Sequence, residues 1–430
     1  MVAGMTIEPK RIDAASGKSP ATLYAEREQR LHDTIALKKP DRLPTILFSH
    51  FWVGHYSGMT CRQTMYDYAG LKAAMIKAAR DLEPDSYYPG HNMMAFGPTM
   101  DILDYRQLEW PGSRGLAEDV PFQYLDREYM TAKEYDEYLL DPTGFMLHRY
   151  LPRVANGFKA MELLPQYPSV LHTRILMSVQ AYANPAVREM FQTLMRAGEE
   201  MQKMLASADE MVAELNELGF PLGNHATSHA PFDVASDYLR GSKGAMLDMF
   251  RHKDKLLAIL DRITQLIPAN AIATADRNKG KFIFFPLHWG LDGFMSPVQF
   301  KTYYWPPLRQ VMMTMIEQGY IPQVLWEGNC TSRLDVIKDL PPGKAVYMFE
   351  RTNMKKAKQI LGDTVCIRGN VPVSTLITGS VQDTKDAVKR LFNDCGDGGG
   401  FILDGGVGIP DEAKHENVIA MFETAKELTY

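Results

Sequence analysis

The stretch KFIFFPLHW, at residues 281–289, is a continuous apolar run that ends in polar residues. Seven further runs have the same character: LPTILFSHF (43–51), DSYYPG (85–90), GFPLGNHA (219–226), IPQVLWEG (321–328), KAVYMFER (344–351), TVCIRGNV (364–371) and GFILDGG (400–406). Amphipathic helical stretches such as 185–218 and 254–267 lie between most of these runs. Buried strands that alternate with helices are typical of parallel β/α units. Eight such units predict an α/β protein with a closed (β/α)8 (TIM) barrel, and a doubly wound open sheet is the alternative.

The same pattern predicts the domain organisation. Residues 1–40 form an N-terminal extension and a helix, which Ser19 and Pro20 cap and open. Residues 41–430 form a single barrel domain, because no Gly-, Ser- or Pro-rich linker interrupts the pattern. Two stretches exceed a minimal barrel, at about 91–180 and 227–250. We expect them to be largely helical insertions at the C-terminal face, where they would roof a pocket.

Composition excludes several classes of function. The chain has 430 residues and a net charge of −5, which gives no electrostatic reason to bind nucleic acid or an anionic membrane. We find no apolar run of about 18 residues, the length that crosses a bilayer. The first twenty residues lack the apolar core of a signal peptide, and the four cysteines form no CxxC pair. These features predict a cytoplasmic protein.

Polar residues follow most of the eight runs, at the place where barrel enzymes carry their catalytic groups. Six of the eleven histidines lie at such ends or just beyond them. Histidines that converge on one cavity favour an acid–base or metal site. We therefore expect His50, His225, His288, Glu327 and Asn370 to open onto one cavity at the C-terminal face. We assign substrate binding to seven residues: His50, Trp52, Tyr88, Trp289, Asn329, Arg368 and Asn370.

Four segments of the C-terminal half occur in a specific order. They are DGFMSPVQFKTYYWPPLRQVMMTMIEQGYIP (292–322), VLWEGNCTSRLDVI (324–337), GDTVCIRGNVPVSTLITGSVQDTKDAVKRL (362–391) and GGFILDGGVGIPDEAKHENVIAMFETAKE (399–427). In this order they resemble the uroporphyrinogen decarboxylase superfamily, whose members are (β/α)8 barrels. The resemblance extends weakly over 38–48 and 82–88.

The chain departs from the decarboxylases of that superfamily after the first strand. There the decarboxylases carry an arginine-rich segment that holds the carboxylates of the substrate. This chain reads SHFWVGHYSG at 49–58, and after the first strand it has no arginine until Arg62. The resemblance therefore points to the methyltransferase-like branch, and in particular to corrinoid-dependent O-demethylases.

A second departure concerns metal. Thiol methyltransferases of the superfamily hold zinc with a His-x-Cys pair and a further cysteine in the last glycine-rich turn. Here the corresponding turns read WEGNC (326–330) and DGG (404–406), so we expect no zinc held in that manner. A different metal set remains open, drawn from His288, Glu327, Cys330 and Asp404.

The resemblance implies an enzyme that removes a methyl group from a small methoxylated aromatic substrate and passes it to a corrinoid (cobalamin) on a partner protein. A phenolate leaves poorly unless it is protonated or coordinated. We assign that task to His288 and Glu327, with His225 as a reserve. The alternatives are a lyase that decarboxylates or cleaves a small aromatic acid or ether, and a catalytically silent barrel that binds a ligand. A homodimer is left open.

Overall fold

The computed structural model describes residues 8–112, 115–166 and 171–430. Each of the eight apolar runs contains or overlaps a parallel strand. In chain order, and including a hairpin (β3 and β4) between the second and third runs, the strands are β1 Ile46–Leu47, β2 Ser86–Tyr87, β3 Leu108–Glu109, β4 Gln123–Tyr124, β5 Ala226–Thr227, β6 Phe282–Leu287, β7 Ile321–Trp326, β8 Val346–Phe349, β9 Cys366–Arg368 and β10 Phe401–Ile402. The run at 281–289 is therefore a strand, as predicted.

Helices account for most of the remaining chain. The longer α-helices are Pro20–Ile35, Tyr68–Leu82, Pro185–Glu217, Gly241–Arg251, Lys253–Arg277, Trp305–Glu317, Met354–Leu361, Val381–Cys395 and His415–Lys426. Shorter α-helices are Ile12–Ala15, Trp52–Tyr56, Cys61–Tyr66, His91–Met94, Gly97–Leu103, Tyr135–Leu140, Pro142–Phe145, Leu151–Val154, Pro231–Asp233, Pro297–Gln299, Leu334–Ile337 and Val373–Ile377. Short 3₁₀ or π turns are Ala132–Glu134, Met146–Tyr150, Asn156–Leu163, His172–Ala183, Val234–Arg240, Phe300–Tyr304 and Thr331–Arg333.

The parallel strands form two ladders. Six of them make one sheet in the order β10-β9-β8-β7-β6-β5, and β1 pairs with β2. Single parallel bridges lie between the two ladders on both sides: Thr45 with Leu403 beside β10, and Tyr87 with Leu222 ahead of β5. The protein is thus an α/β protein, mostly helical, with a parallel sheet.

One face of the strands, which we call the inner face, is lined by side chains from both ladders. Phe48, just after β1, lies with its ring centroid 5.5 Å from that of Phe284 on β6, and Tyr88 lies 5.4 Å from the same ring. The buried cluster on this face comprises Leu31, Ile35, Ile46, Phe48, Tyr88, Leu325, Val346, Met348, Cys366 and Ile402. Since side chains of β1 pack against those of the middle strands of the other ladder, the sheet curves around this cluster.

Asp85 connects the N-terminal helix to the start of β2. The carboxylate is fully buried and accepts hydrogen bonds from Arg30 at 2.5 Å, from Arg42 at 2.9 Å and from the backbone N–H of Thr45 at 2.8 Å. Burial opposes ionisation, but the charges of Arg42 and Arg30 outweigh it and lower the pKa of Asp85 to about 2. Asp85 is therefore charged in the folded protein at every pH above that value.

We expect this carboxylate to make folding sensitive to acid. Its folded pKa lies below its ordinary value of 3.8, so its contribution is present above pH 4 and is lost as pH falls through about 2. That difference is worth about 2 kcal/mol. Urea unfolding at pH 6 and pH 3 should show Asp85→Asn losing stability at pH 6 and losing part of the acid sensitivity. Asp335→Asn, at a largely exposed carboxylate, is the matched control.

One helix among the described residues, Lys253–Arg277, is long and apolar enough to cross a membrane by length and composition alone. The sequence prediction missed it because Asp261 and Arg262 interrupt the apolar run. Leu256, Ile259 and Ile263 of this helix are buried in the core. It therefore packs as a core helix in this fold.

Candidate active site

The inner face continues past the ends of β6, β7, β8 and β9. Leu287 pairs with Trp326, Trp326 with Phe349, and Met348 with Arg368. Side chains alternate between the two faces of a strand, so every second residue of each strand points to the inner face. Just past the ends of these strands, one residue from each continues that face. These residues are His288, Glu327, Glu350 and Asn370. The register thus brings four polar side chains to neighbouring positions at the C-terminal ends of the strands.

His288 lies between two carboxylates. Its Nδ1 is 2.6 Å from Oδ2 of Asp237, and its Nε2 is 3.7 Å from Oε1 of Glu327. Its backbone N–H donates to Oδ2 of Asp233 at 3.0 Å. The other oxygen of Asp237 accepts a hydrogen bond from Nε1 of Trp289. We call His288, Asp233, Asp237 and Glu327 the His288 site.

Asp233 and Asp237 are the functional residues that sequence reasoning missed. Both lie in the segment 231–240, where a short helix passes into the π turn Val234–Arg240. The hydroxyl of Tyr304 donates to Oδ2 of Asp233 at 2.9 Å, whereas Oδ1, fully buried, has no hydrogen-bond partner among the described residues. The signal that was available is the spacing of four, which places two carboxylates on one side of a helical segment.

The charges of the His288 site shift its ionisation. Burial by itself would lower the pKa of His288, but the hydrogen bond to Asp237 and the charges of Asp233 and Glu327 raise it to about 9. The imidazole is therefore protonated at neutral pH. Burial raises the pKa of Asp233 to about 7 and also raises the pKa of Glu327 above its ordinary value.

The groups of the His288 site are partly accessible to solvent. The side chains of His288 and Glu327 are 34% and 37% exposed, yet their surroundings are crowded enough for burial to be the largest influence on each pKa. Tyr124, on the hairpin strand β4, combines 72% exposure with a pKa raised by burial and by the charges of Glu327 and Asp237. The hairpin therefore lies close enough to the His288 site for these two carboxylates to act on Tyr124.

Two neutral histidines accompany the charged one. The ring of His229 lies 5.6 Å from that of Tyr238, and burial, followed by the charge of His288, lowers the pKa of His229 to about 4. His50 lies beside Phe48, with ring centroids 5.7 Å apart, and burial lowers the pKa of His50 to about 4. His288 is thus the imidazole that holds a proton at neutral pH in this part of the molecule.

Comparison with known proteins identifies the chain. A family model for uroporphyrinogen decarboxylase (URO-D) matches residues 178–428, more than half of the sequence. The chain belongs to the URO-D family. The matched region includes β5 to β10 and every member of the His288 site.

Relatives of this URO-D family member match it over part of their length. The uroporphyrinogen decarboxylase of Syntrophotalea carbinolica is 24% identical over 181 residues, 42% of this chain and 51% of the relative. That of Geotalea daltonii is 27% identical over 141 residues, 33% of this chain and 40% of the relative. The chain therefore spans about half of the length of the first of these curated relatives and 40% of the second.

A solved structure shares the fold over almost the whole chain. The methyltransferase from Methanosarcina mazei superposes with a TM-score of 0.57 at 14% sequence identity, covering 93% of this chain and 98% of that one. At this level of identity the likeness concerns the fold. It extends to the N-terminal part of the chain, which the URO-D model does not match.

The expectation that His225 shares the cavity is wrong. The backbone N–H of His225 donates to the carbonyl of Phe282 at 3.0 Å, and its ring lies 5.7 Å from that of Phe282. Phe282 opens β6, whereas His288 follows its end, so the two histidines are separated by about 20 Å along the strand direction. The apolar run at 219–226 ends before the strand β5 does, and the histidine beyond that strand is His229.

The structure also corrects the placement of Arg368 and Tyr88, which were predicted to bind substrate. Arg368 is 1% exposed and its Nη2 lies 2.6 Å from Oδ2 of Asp404, which is fully buried. The hydroxyl of Tyr88 accepts a hydrogen bond from Arg368 at 2.9 Å and donates to Gln323 at 2.5 Å. These four residues form a closed polar layer of the inner face, which we call the Arg368 layer.

The other predicted substrate-binding residues divide between the site and the scaffold. Trp289 contacts Asp237 in the His288 site. Trp52 is fully buried and donates to the carbonyl of Ala413, and exposed Asn329 caps its own turn through Thr331. Asn370 donates to the carbonyls of Glu350 and Thr352 at 3.1 and 3.0 Å, so it joins two loops at the rim.

The four metal candidates do not assemble in the described parts of the chain, where no three His, Cys, Asp or Glu side chains are grouped to hold an ion. Asp404 is engaged by Arg368. Cys330 is fully buried, and burial raises the pKa of its thiol. His288 and Glu327 are the two candidates that lie near each other, and Nδ1 of His288 is occupied by Asp237.

Proposed function

We propose that this URO-D family protein is a methyltransferase that removes the methyl group from a small methoxylated aromatic compound and passes it to a corrinoid carrier. In this proposal the eight strands close into one (β/α)8 barrel with the His288 site at its mouth. The corrinoid protein as partner, the cytoplasmic location and any homodimer stay predictions.

Two features support closure of the barrel. The bridges of Thr45 with Leu403 and of Tyr87 with Leu222 lie where closure requires contact between the ladders. The inner face packs Phe48 and Tyr88 against Phe284, which lies across the sheet order from β1. In a barrel the C-terminal ends of all strands face the same opening, and enzymes of this architecture carry their active sites there.

The observation that carries the proposal is the placement of the His288 imidazole, whose Nδ1 lies 2.6 Å from Oδ2 of Asp237 and whose pKa is raised by that contact and by the neighbouring carboxylates. Asp237 accepts the hydrogen bond of Nδ1, which leaves Nε2–H without a hydrogen bond, since Glu327 is 3.7 Å away. When the methyl C–O bond breaks, the electron pair of that bond stays on the aryl oxygen, and Nε2 supplies the proton that makes it a phenol. A reduced corrinoid would supply the electron pair of the new bond to the methyl carbon. Glu327 holds the positive charge of the imidazole in place before the transfer.

The walls of the site suit a flat apolar ring. Trp289 is fixed by Asp237 and packs edge-on against Phe294 with ring centroids 4.9 Å apart. Tyr124 lies on the hairpin and keeps 72% of its surface accessible. Aromatic walls with a few convergent polar groups are typical of small-molecule sites. The shared fold with the Methanosarcina mazei methyltransferase supports the same reaction class.

The lyase alternative has support in the curated relatives, which are named uroporphyrinogen decarboxylases. With His288 assigned as the proton donor, a site for an acid requires a further cation that is free to bind the carboxylate. The arginines that follow the strands are engaged: Arg351 bonds to Glu350 at 2.8 Å, Arg368 pairs with Asp404, and Arg62 bonds to Glu118. The arrangement therefore favours methyl transfer over decarboxylation.

The direct test incubates the protein with methoxyarenes and chemically reduced cobalamin. Formation of methylcobalamin, followed by its absorbance, together with an equal amount of the phenol, is the expected result. His288→Gln, which keeps a polar side chain of similar size, is the matched control and should form neither product above background. Carbon dioxide from an aromatic acid, without methyl transfer from any methoxyarene, would support the lyase instead.

The proposal predicts how the rate depends on pH. His288 is faced by Asp233 and Asp237 from the segment 231–240, by His229, and by Glu327 from the end of β7. Its raised pKa keeps the proton donor intact below about pH 9, so kcat/KM should fall as pH rises through that value.

Asp237→Asn tests the cause of that pKa. The substitution keeps a side chain of the same size but removes the charge that raises the pKa of His288, so the alkaline decline should move to lower pH. A pH profile that is identical in the two proteins would exclude His288 as the group that titrates.

A further inference from the structure

We infer that the methoxylated ring taken by the His288 site bears a protonated amino group rather than a carboxylate. The inference rests on the proposed function and names its substrate class. Three kinds of observation support it. One carboxylate has no hydrogen-bond donor, the nearby cationic side chains are already paired with carboxylates, and aromatic surfaces that attract a cation lie beside the site.

The unsatisfied carboxylate is Glu327. Its side chain is 37% exposed at the C-terminal end of β7, and the described residues give it no hydrogen-bond donor. The nearest cationic atom is Nε2 of His288, and at 3.7 Å this is an ion pair without a hydrogen bond. A partly buried carboxylate without donors is costly to leave unpaired, and a charged N–H donor relieves that cost more than a neutral one does.

The local balance of charge is negative. Asp237 and Glu350 contribute carboxylates next to Glu327, and Asp233 lies beneath them with one buried oxygen unpartnered. On the cationic side, His288 is held by Asp237 through Nδ1, and in the proposed reaction its Nε2–H is taken by the methoxy oxygen. Arg351 is turned onto Glu350 and is otherwise exposed to solvent. A carboxylate on the substrate would meet these groups at a distance where like charges repel.

The aromatic surfaces favour the same class of ligand. Tyr124 lies near Glu327 and Asp237 with most of its surface free, and Trp289 forms a second aromatic surface beside Asp237. The faces of tyrosine and tryptophan attract ammonium groups, and the attraction increases when water is excluded. A ring with an aminomethyl substituent would place its methoxy oxygen at His288 and its ammonium at Glu327.

The experiment measures binding without a corrinoid, so that it does not depend on turnover. Three para-substituted probes share one ring: 4-methoxybenzylamine, 4-methylanisole and 4-methoxybenzoate. Calorimetry at pH 7 should show the amine binding about 10-fold more tightly than the neutral ring and the benzoate binding most weakly. Added salt should reduce this preference, because it is electrostatic.

Glu327→Gln is the deciding variant. It should reduce the preference for the amine over the neutral ring to about 2-fold or less while the neutral ring still binds, which also shows that the variant is folded. Glu317→Gln, at an exposed position of the helix Trp305–Glu317, is the matched control and should keep the full preference.

The results separate this inference from the proposed function. Equal or tighter binding of the benzoate, or a preference unchanged in Glu327→Gln, would overturn the inference. Binding in the expected order without methyl transfer to reduced cobalamin would leave the charge preference standing and overturn the proposed reaction. Methyl transfer that is fastest from the benzoate would do the reverse.

Discussion

Replacing His288 by alanine is expected to lower the rate of methyl transfer by about 1,000-fold, the size of effect produced by a lost general acid. The imidazole is the group that brings a proton to the leaving oxygen, and the aromatic walls that hold the ring remain in the variant. Binding of the neutral probe should therefore change little. Single-turnover measurement of phenol release, with substrate at saturation, isolates this step.

Folding should be largely retained in that variant. The side chain of His288 is 34% exposed, and Asp237 keeps its hydrogen bond from Trp289, so the loss of stability should be about 1 kcal/mol. His225→Ala is the control, because that histidine lies at the opposite end of β6. A rate that falls equally in the two variants would show that neither histidine acts as the proton donor.

Replacing Arg368 by methionine is expected to destabilise the protein by about 3–5 kcal/mol, since it leaves Asp404 buried without its cation. Burial already raises the pKa of Asp404 to about 6 against the opposing charge of Arg368. Without that charge the carboxyl should take up a proton, and Tyr88 would lose the donor that now lies 2.9 Å from its hydroxyl. Urea unfolding at pH 7 measures the loss.

A double-substitution cycle separates the buried pair from the cavity that a smaller side chain leaves. The variant that combines Arg368→Met with Asp404→Asn should be more stable than Arg368→Met alone, because no carboxyl remains that must take up a proton to stay buried. Arg351→Met, at an exposed arginine, should leave the unfolding midpoint unchanged. If Arg368→Met folds as stably as the natural protein and loses affinity for substrate, the substrate-binding role predicted for it from the sequence is restored.

The strands were predictable because each is short, apolar and followed by polar or glycine-rich residues. The chain at 281–289 and 321–328 forms β6 and β7 as predicted, and the residues at their ends, His288 and Glu327, lie 3.7 Å apart. The pairing register was not needed for this result. Neighbouring parallel strands of similar length have their C-terminal ends at the same edge of the sheet, so the polar residues that follow them lie close together.

Some site residues were predicted wrongly because the sequence does not show how far along the barrel axis a residue at the end of an apolar run lies. His225 and His229 follow the same apolar run, and only the pairing of Ala226 with Ile283 shows which of them lies near His288. Arg368 also occupies the end of a run, but its side chain turns back to Asp404 inside the protein. Asp233 and Asp237 were missed because they belong to no strand and reach the site from a helical segment.

The single bridge between β2 and the segment before β5 has a consequence for motion. Strands β6 and β7, which carry His288 and Glu327, pair at six successive positions, whereas β2 meets the segment before β5 at one. The long excursion of the chain between Tyr87 and Ala226 begins and ends at that weak seam. Separation of neighbouring strands should therefore occur mainly between β2 and β5, on one side of the C-terminal face. The protein could widen to admit ligands of different size there while the distance between its proton donor and the neighbouring carboxylate stays constant.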